Sequence, residues 1–540
     1  MATKSTKDNK KVDSTDEVFS YDELPYESYP YFYTRPEHLH TIGTLFGMNP
    51  PNIETARVLE LGSAAGSNII NFAETYPKSY TLGVDLSKVE IDHGVQKIKD
   101  LALKNIELKH LSITDVDESI GKFDYIIAHG VFSWVPEVVR DKILEISSKL
   151  LTPQGIAFIS YNTLPGWNMV NTTRDMLMFH SSTFTNAQDK LTQAKLFLNF
   201  INDGLDNSNS PYAKFLKKET ELMFKQEDSY ILHEYLQGEN KQFYFHQFMK
   251  MSKSYNLNYL GEANIHTMYV GNLPAKAAEK LQTINDIVRT EQYMDFILNK
   301  RFRCTLLCHD NIQLNRNINI DIIKKFYSAC KVLPAIPEGE TDLANSFEST
   351  SFYFDGSKDS NISTSSPIMK AIFYTYYENI GNPLKLEELL KQAAKKLPTF
   401  STKDFEIEFA SNVGRLVFGG YIKLFTSKPH SIFKISTRPK VSGLARYQAS
   451  KAALNKMWIT NQINEVFPLQ TPEKYLTELL DGKNDIKIIQ EKILQKFIDG
   501  TLTAQDGNNK ITNPTALKKL TEQLINSTLE RFKTNYILIG

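Results

Sequence analysis

The feature that most constrains this chain is Val58-Leu59-Glu60-Leu61-Gly62-Ser63-Ala64-Ala65-Gly66-Ser67, a buried-strand pattern that runs into a turn of small residues and opens a helix. Such a turn lets a ligand lie against backbone at the start of the helix, and the strand before it must have neighbours to bury it. Those neighbours follow. TLGVDLS, IELKHLSI, FDYIIAH and GIAFISYN read as strands, separated by amphipathic segments in which Ile91, Val95, Ile98 and Leu101 form one expected buried stripe. Strands recurring with helices between them predict an α/β fold, a Rossmann-like parallel sheet covered on both faces.

A dinucleotide-binding turn would place a second glycine where Ala64 stands, to admit a pyrophosphate. Here only the frame of Gly62 and Gly66 is present. S-adenosylmethionine has no phosphate to cradle; it needs the tight turn, with Ser63 and Ala64 close to it, and a carboxylate for its cationic end. Glu60 offers that carboxylate. Asp85 ends the next strand and is placed to accept both ribose hydroxyls, Leu86 to wall the adenine, and Ser112 and Ile113 to flank the base from the third strand. These residues form the expected S-adenosylmethionine site.

The fourth and fifth strands deliver His129-Gly130-Val131-Phe132-Ser133-Trp134 and Tyr161-Asn162-Thr163-Leu164-Pro165-Gly166-Trp167 to the same edge. Methyl transfer from a sulfonium is an in-line displacement, so alignment, dehydration and electron-rich surfaces matter more than acid-base groups. His129 and Gly130 are expected at the cofactor, His129 and Tyr161 at an acceptor channel, and Tyr33 as a pocket-lining tyrosine. His233 and Glu234, in LHEYL, are candidates for holding an acceptor lysine, whose ammonium must lose a proton before it reacts. A satisfied structural histidine and a core tyrosine are the bland alternatives for His129, Tyr33 and Tyr161.

Domain organisation follows from changes of pattern. Residues 1–17 form a polar tail expected to be disordered; 18–168 the cofactor-binding core with an aromatic N-terminal lid; 169–226 a helical insertion; 227–312 the completion of the core. Residues 313–438 form a middle domain and 439–540 a mostly helical C-terminal domain. The Ser-, Thr-, Asn- and Asp-rich segment 337–367 marks a boundary. After it come three helices and then YIKLFTS and SIFKIST as a hairpin, the outline of a winged helix.

Composition narrows the alternatives. Lys+Arg and Asp+Glu are both 62 in 540 residues, so no global field draws the chain to a polyanion or an anionic membrane. Three cysteines cannot staple a protein of this size and suit a reducing compartment. With no apolar signal region near the N-terminus and no long apolar run, a cytoplasmic location and no membrane insertion are expected. Cys304, Cys308 and His309 lie along one strand too far apart to chelate one ion, so no metal is expected. Between Glu408 and Glu465 there is no acidic residue but nine Lys and Arg, from Arg415 to Lys456. A solvated face, a dock for an acidic protein and a nucleic-acid site all fit that run, the last being disfavoured.

YESYPYFYTRPEHL, VLELGSAAGSN, FDYIIAHGVFSWVP, SYNTLPGW, HEYL with QFYFHQF, NYLGEA and RFRCTLL together resemble the methyltransferases that carry a methyltransferase regulatory domain. More closely, the chain resembles the rickettsial protein lysine methyltransferases that modify outer membrane protein B. VSGLARYQAS and LLDGKND extend the resemblance to the C-terminal region. The resemblance implies a homodimer assembled through the helical insertion, a class I S-adenosylmethionine domain, and an aromatic segment, Tyr29 to His38, that folds over the cofactor with Tyr33 and Thr34 closing on it. It implies lysine side chains of a large protein as substrate. Competing readings keep the cofactor and change the acceptor to RNA or a small molecule, or keep the fold as a scaffold without catalysis.

Overall fold

The computed structural model describes residues 28–317, 319–450, 457–506 and 509–540. The polar tail, residues 21–27 of the aromatic cluster, and Lys451 and Lys456 of the acid-free stretch lie outside the described residues. After a 3-10 turn at Phe32–Thr34 comes α1 (Pro36–Leu45), begun by a proline whose missing N–H costs nothing in a first turn. The alternation read from the sequence then follows: β1 (Arg57–Leu61), α2 (Ile70–Thr75), β2 (Tyr80–Asp85), α3 (Lys88–Asp100), β3 (Ile106–His110), β4 (Phe123–Ala128), α4 (Glu137–Lys149) and β5 (Leu151–Asn162). Four helices interrupt the sheet, α5 (Gly166–Ser181), α6 (Ala187–Gly204), α7 (Pro211–Met223) and α8 (Asp228–Tyr235). The sheet resumes through α9 (Phe245–Ser254), β6 (Leu257–Glu262), α10 (Ala275–Gln282), α11 (Ile287–Leu298) and β7 (Phe302–His309).

The strand order is β3-β2-β1-β4-β5-β7-β6, with β1 to β5 parallel and β7 antiparallel to both its neighbours. Val58, Ile127 and Phe158 face one core, Leu59, Ala128 and Ile159 the other. That is why these strands carry near-continuous apolar runs. The stripe expected on α3 is only partly buried. Ile91 and Ile98 are inside, but Val95 is 46% exposed. Gly94 occupies the inward position instead, because a Cβ there would stand 2.3 Å from Leu108 Cδ1.

The middle region holds β8 (Tyr327–Ala329), β9 (Val332–Pro334), β10 (Thr350–Phe354), β11 (Ser357–Thr364), α12 (Pro367–Glu378), β12 (Leu384–Lys385), α13 (Leu386–Lys396), α14 (Thr402–Val413) and β13 (Lys423–Phe425). Two expectations are corrected. Segment 337–367, expected to mark a boundary, is itself packed structure: β10 and β11 form a hairpin through Asp355 and Gly356, both at positive φ, and Phe352, Phe354 and Ile362 share a core with Leu39 and Phe158. The hairpin expected of YIKLFTS and SIFKIST does not form. Its first half, β13, pairs with the distant β8, and residues 431–437 make no strand.

The C-terminal region comprises α15 (Gly443–Ala449), β14 (Trp458–Thr460), β15 (Val466–Pro468), α16 (Thr471–Leu479), α17 (Ile486–Ile498) and α18 (Pro514–Thr534) around a separate apolar core. Its β14-β15 hairpin is an addition to the helices expected there. Among the described residues, no helix is long and apolar enough to cross a membrane.

Candidate functional site

The turn after β1 folds down onto the end of β2. Gly62 and Ser63 donate their N–H groups to Val84 O at 2.9 and 3.0 Å. Gly62, Ala64 and Gly66 have φ of 76°, 44° and 69°, the left-handed region that L side chains resist. At Gly62 space forbids a side chain as well, since a Cβ would meet Val131 Cγ2 at 2.3 Å.

Asp85 ties this loop to its own strand. Its Oδ2 accepts from Ala64 N at 2.7 Å and its Oδ1 from Ser87 N at 2.8 Å. A carboxylate has about four lone-pair sites, so Asp85 keeps acceptor capacity that a ribose hydroxyl could use. Burial pushes this carboxyl above its ordinary range, against the pull of those N–H groups. Leu86 is 45% exposed at the strand end, and Ser112 and Ile113 are half-buried after β3. His110 Nε2, 3.0 Å from Leu86 O, links the two strand ends.

Glu60 is buried, and burial pushes its carboxyl up to about 8; Asn68 pulls it down by donating from Nδ2 to Oε1 at 2.8 Å, and Asp85 pushes it up again. Its Oε2 and the Ser63 hydroxyl are buried with no hydrogen-bond partner. Unpartnered buried polar atoms are costly, and here they suit a ligand that brings a cation and donors of its own. At Gly130, φ 71°, the place of a Cβ is open space, a second feature that fits a ligand against the backbone. The residues present fit S-adenosylmethionine.

The N-terminal segment closes over this edge. Thr34, fully buried, places Oγ1 2.8 Å from Asn68 Oδ1, which also accepts from Tyr31 N at 3.1 Å. Tyr33 Oη lies 3.5 Å from His129 Nε2. Around His129 stand Tyr31 (ring centroids 4.3 Å apart), Tyr33 (5.5 Å), Phe158 (5.7 Å) and Phe302 (6.1 Å). Burial pushes His129 down to about 4, so at neutral pH it is uncharged. Its Nδ1 lies 2.9 Å from Ser160 Oγ, which accepts from Gly130 N at 2.8 Å.

Burial, and after it the charge of Glu234, pushes the Tyr31 phenol up, and burial pushes the Glu234 carboxyl up to about 7. Two sequence candidates fall elsewhere. Tyr161 is 1% exposed, stacked on Phe248 at 4.1 Å with its hydroxyl 3.2 Å from Thr305 Oγ1, and serves the core instead of the channel. His233 is buried with Nδ1 3.4 Å from Gln237 Nε2, one turn along its own helix. Sequence reasoning missed Tyr31, Asn68, Ser160 and Phe302. Tyr31 lies in the aromatic cluster, and Asn68, Ser160 and Phe302 lie in motifs VLELGSAAGSN, SYNTLPGW and RFRCTLL, where no residue chemistry singled them out. Cys304, Cys308 and Cys330 are buried thiols, and among the described residues no cluster of His, Cys, Asp or Glu could hold a metal ion.

Comparison with known proteins identifies the domains that carry this geometry. Residues 54–243 match a methyltransferase domain, 227–309 a predicted methyltransferase regulatory domain, and 437–537 the PKMT C-terminal winged helix domain. The winged helix thus falls on the C-terminal region that carries the β14-β15 hairpin. The structure of PKMT2 from Rickettsia typhi in complex with AdoHcy is 51% identical and superposes with a TM-score of 0.89, covering 96% of this chain and 100% of that one. An uncharacterized Rickettsia prowazekii protein is 49% identical over 519 residues, 96% of this chain and 93% of its own length. A second from that organism is 58% identical over 234 residues, 43% of this chain and 94% of its own.

Proposed function

The chain belongs to the PKMT family represented by the Rickettsia typhi enzyme, a methyltransferase family whose cofactor is S-adenosylmethionine, and from that premise we propose that it methylates lysine side chains of a large protein. The observation that carries this reading is the aromatic cage around an uncharged His129, with Glu234 nearby at a pKa of about 7. When bound, S-adenosylmethionine supplies an electrophilic methyl group on a sulfonium. Glu60 would meet the cationic amino-acid end, Asp85 the ribose and Gly62 to Gly66 the backbone side, while Tyr33 and Thr34 exclude water. The ring faces of Tyr31, Tyr33 and Phe302 would stabilise a cation while it is being desolvated. Desolvation would lower the pKa of an entering ammonium and Glu234 would accept its proton, leaving a neutral amine able to take the methyl as the sulfonium C–S bond breaks and AdoHcy leaves.

The resemblance favours an outer membrane protein, modified in the cytoplasm before export, as that substrate, and a homodimer as the working form. Exposed Phe179, Leu196, Phe200 and Phe224 on or beside the inserted helices suit such a dimer. The test is transfer of labelled methyl from S-adenosylmethionine into fractionated extract, with Gly62→Asp as control. Label that resists nuclease, yields to protease and maps to lysine supports the proposal; label in RNA or a small molecule overturns the acceptor.

A further inference from the structure

We propose that the turn between β14 and β15 in the C-terminal domain supports the cofactor site, and that Asn464 is a positioning residue for cofactor binding. The contact between this turn and the cofactor domain joins buried amides to the apolar cluster of Ile463, against which Phe32 packs. Asn68, Asn71, Asn461 and Asn464 are all 6% exposed or less. Asn464, at φ 59°, donates from Nδ2 to Asn68 O at 2.7 Å and accepts at Oδ1 from Asn71 Nδ2 at 2.6 Å; Asn71 Nδ2 also reaches Asn461 O at 2.9 Å. An asparagine tolerates this backbone better than other side-chain-bearing residues and brings a donor and an acceptor to the bridge.

Asn68 is the joint through which this matters. Its main-chain carbonyl is held by Asn464 from the far domain, while its side chain holds Glu60, Thr34 and the Tyr31 amide on the cofactor side. Two further ties reinforce the link. Glu74, in α2, accepts from Gly443 N at 2.5 Å and Leu444 N at 3.0 Å at the start of α15, and Tyr29 of the lid meets Trp458 of β14 at 5.4 Å between ring centroids. The stretch from the glycine loop through α2 is therefore held by the C-terminal domain at both ends.

This inference rests on the assignment of Gly62 to Ser67 as the cofactor loop, and the test separates the two. In the full chain, Asn464→Gly keeps the positive φ and deletes the bridge. The expected result is AdoHcy affinity about tenfold weaker by calorimetry, the scale of losing a hydrogen-bonded support, with faster hydrogen exchange over residues 29–35 and an unchanged KM for the protein substrate. Wild-type affinity and exchange in Asn464→Gly would overturn the proposal, provided Asp85→Ala does weaken AdoHcy. If Asp85→Ala also binds normally, the cofactor loop assignment fails and the proposal with it. A second measurement needs no variant: binding free energies are reciprocal, so AdoHcy must slow exchange at Ile463 to Glu465 in the wild-type protein, and unchanged exchange there overturns it.

Discussion

Two groups of buried carboxylates, one behind the sheet edge and one at it, differ in whether they have a cation of their own. Behind it, Arg303 is fully buried and meets three of them: Glu262 at 2.8 Å, Glu291 at 2.9 Å and Asp295 through two bonds of 2.9 and 2.8 Å. Glu262 also accepts from Thr305 Oγ1 and Cys304 N, and its carboxyl lies below its ordinary range despite burial, held there by Arg303. At the edge, Glu60 and Glu234 are pushed up to about 8 and about 7 by burial that no adjacent cation offsets as fully. The first arrangement shares one guanidinium among three carboxyls, so burial still pushes Glu291 and Asp295 up and Glu291 Oε1 has no hydrogen-bond partner, but its cation is built in and it serves the fold. Under the proposed function, the second is complementary to a cation that arrives with the ligands, an amine for Glu60 and a lysine for Glu234.

Removing the built-in cation from the Arg303 group should have the largest effect. Arg303→Met strands three carboxyls in the interior and takes away the guanidinium that lies 3.9 Å over the Phe245 ring. Breaking a buried ion pair from one side typically costs about 3–5 kcal/mol, so urea unfolding should show a loss of that size. A wild-type midpoint would mean that the Arg303 group is no structural hub.

At the edge the same kind of change should spare the fold and strike the reaction. Glu234→Gln is expected to lower kcat about a hundredfold, the usual contribution of a positioned base, while AdoHcy affinity stays as it was. In the wild type kcat/KM should rise with pH through about 7, where the free enzyme's Glu234 gives up its proton, and that inflection should vanish in the variant. Persistence of the inflection in Glu234→Gln would assign it to another group.

The contrast also explains what the sequence could reveal. The glycine loop, Glu60 and Asp85 were legible because their chemistry is local: a turn needing positive φ and carboxylates at the ends of adjacent strands. The acceptor side depends on which way neighbours point. Successive residues of a strand face opposite sides, so at the end of β5 Ser160 reaches His129 while Tyr161 enters the core against Phe248. On α8, neighbours differ by a rotation of about 100°, so Glu234 lies near Tyr31 while its neighbour His233 meets Gln237. The β14-β15 hairpin stayed hidden because each strand has three residues, too few for a periodic signal. Its bridge to Asn68 crosses 396 residues of sequence.

Glu60→Gln gives the smallest effect and the sharpest test of the comparison, because only its dependence on pH distinguishes an unpaired carboxyl from a structural one. Glu60 holds its proton to about pH 8 when folded and releases it near 4.5 when unfolded. Between those values the folded chain binds more protons than the unfolded one, so ligand-free stability should fall as pH rises from 4.5 to 8. Glu60→Gln should flatten that part of the profile in urea unfolding. The amine of AdoHcy favours the ionised carboxyl, so binding to the wild type below about pH 8 should release a proton and strengthen as pH rises. In Glu60→Gln, calorimetry in buffers of different ionisation heat should show no such proton release, and affinity about tenfold weaker near pH 8 should approach that of the wild type near pH 6. If wild type and variant instead release the same number of protons, Glu60 does not meet the amine, and its unpartnered oxygen would need another occupant.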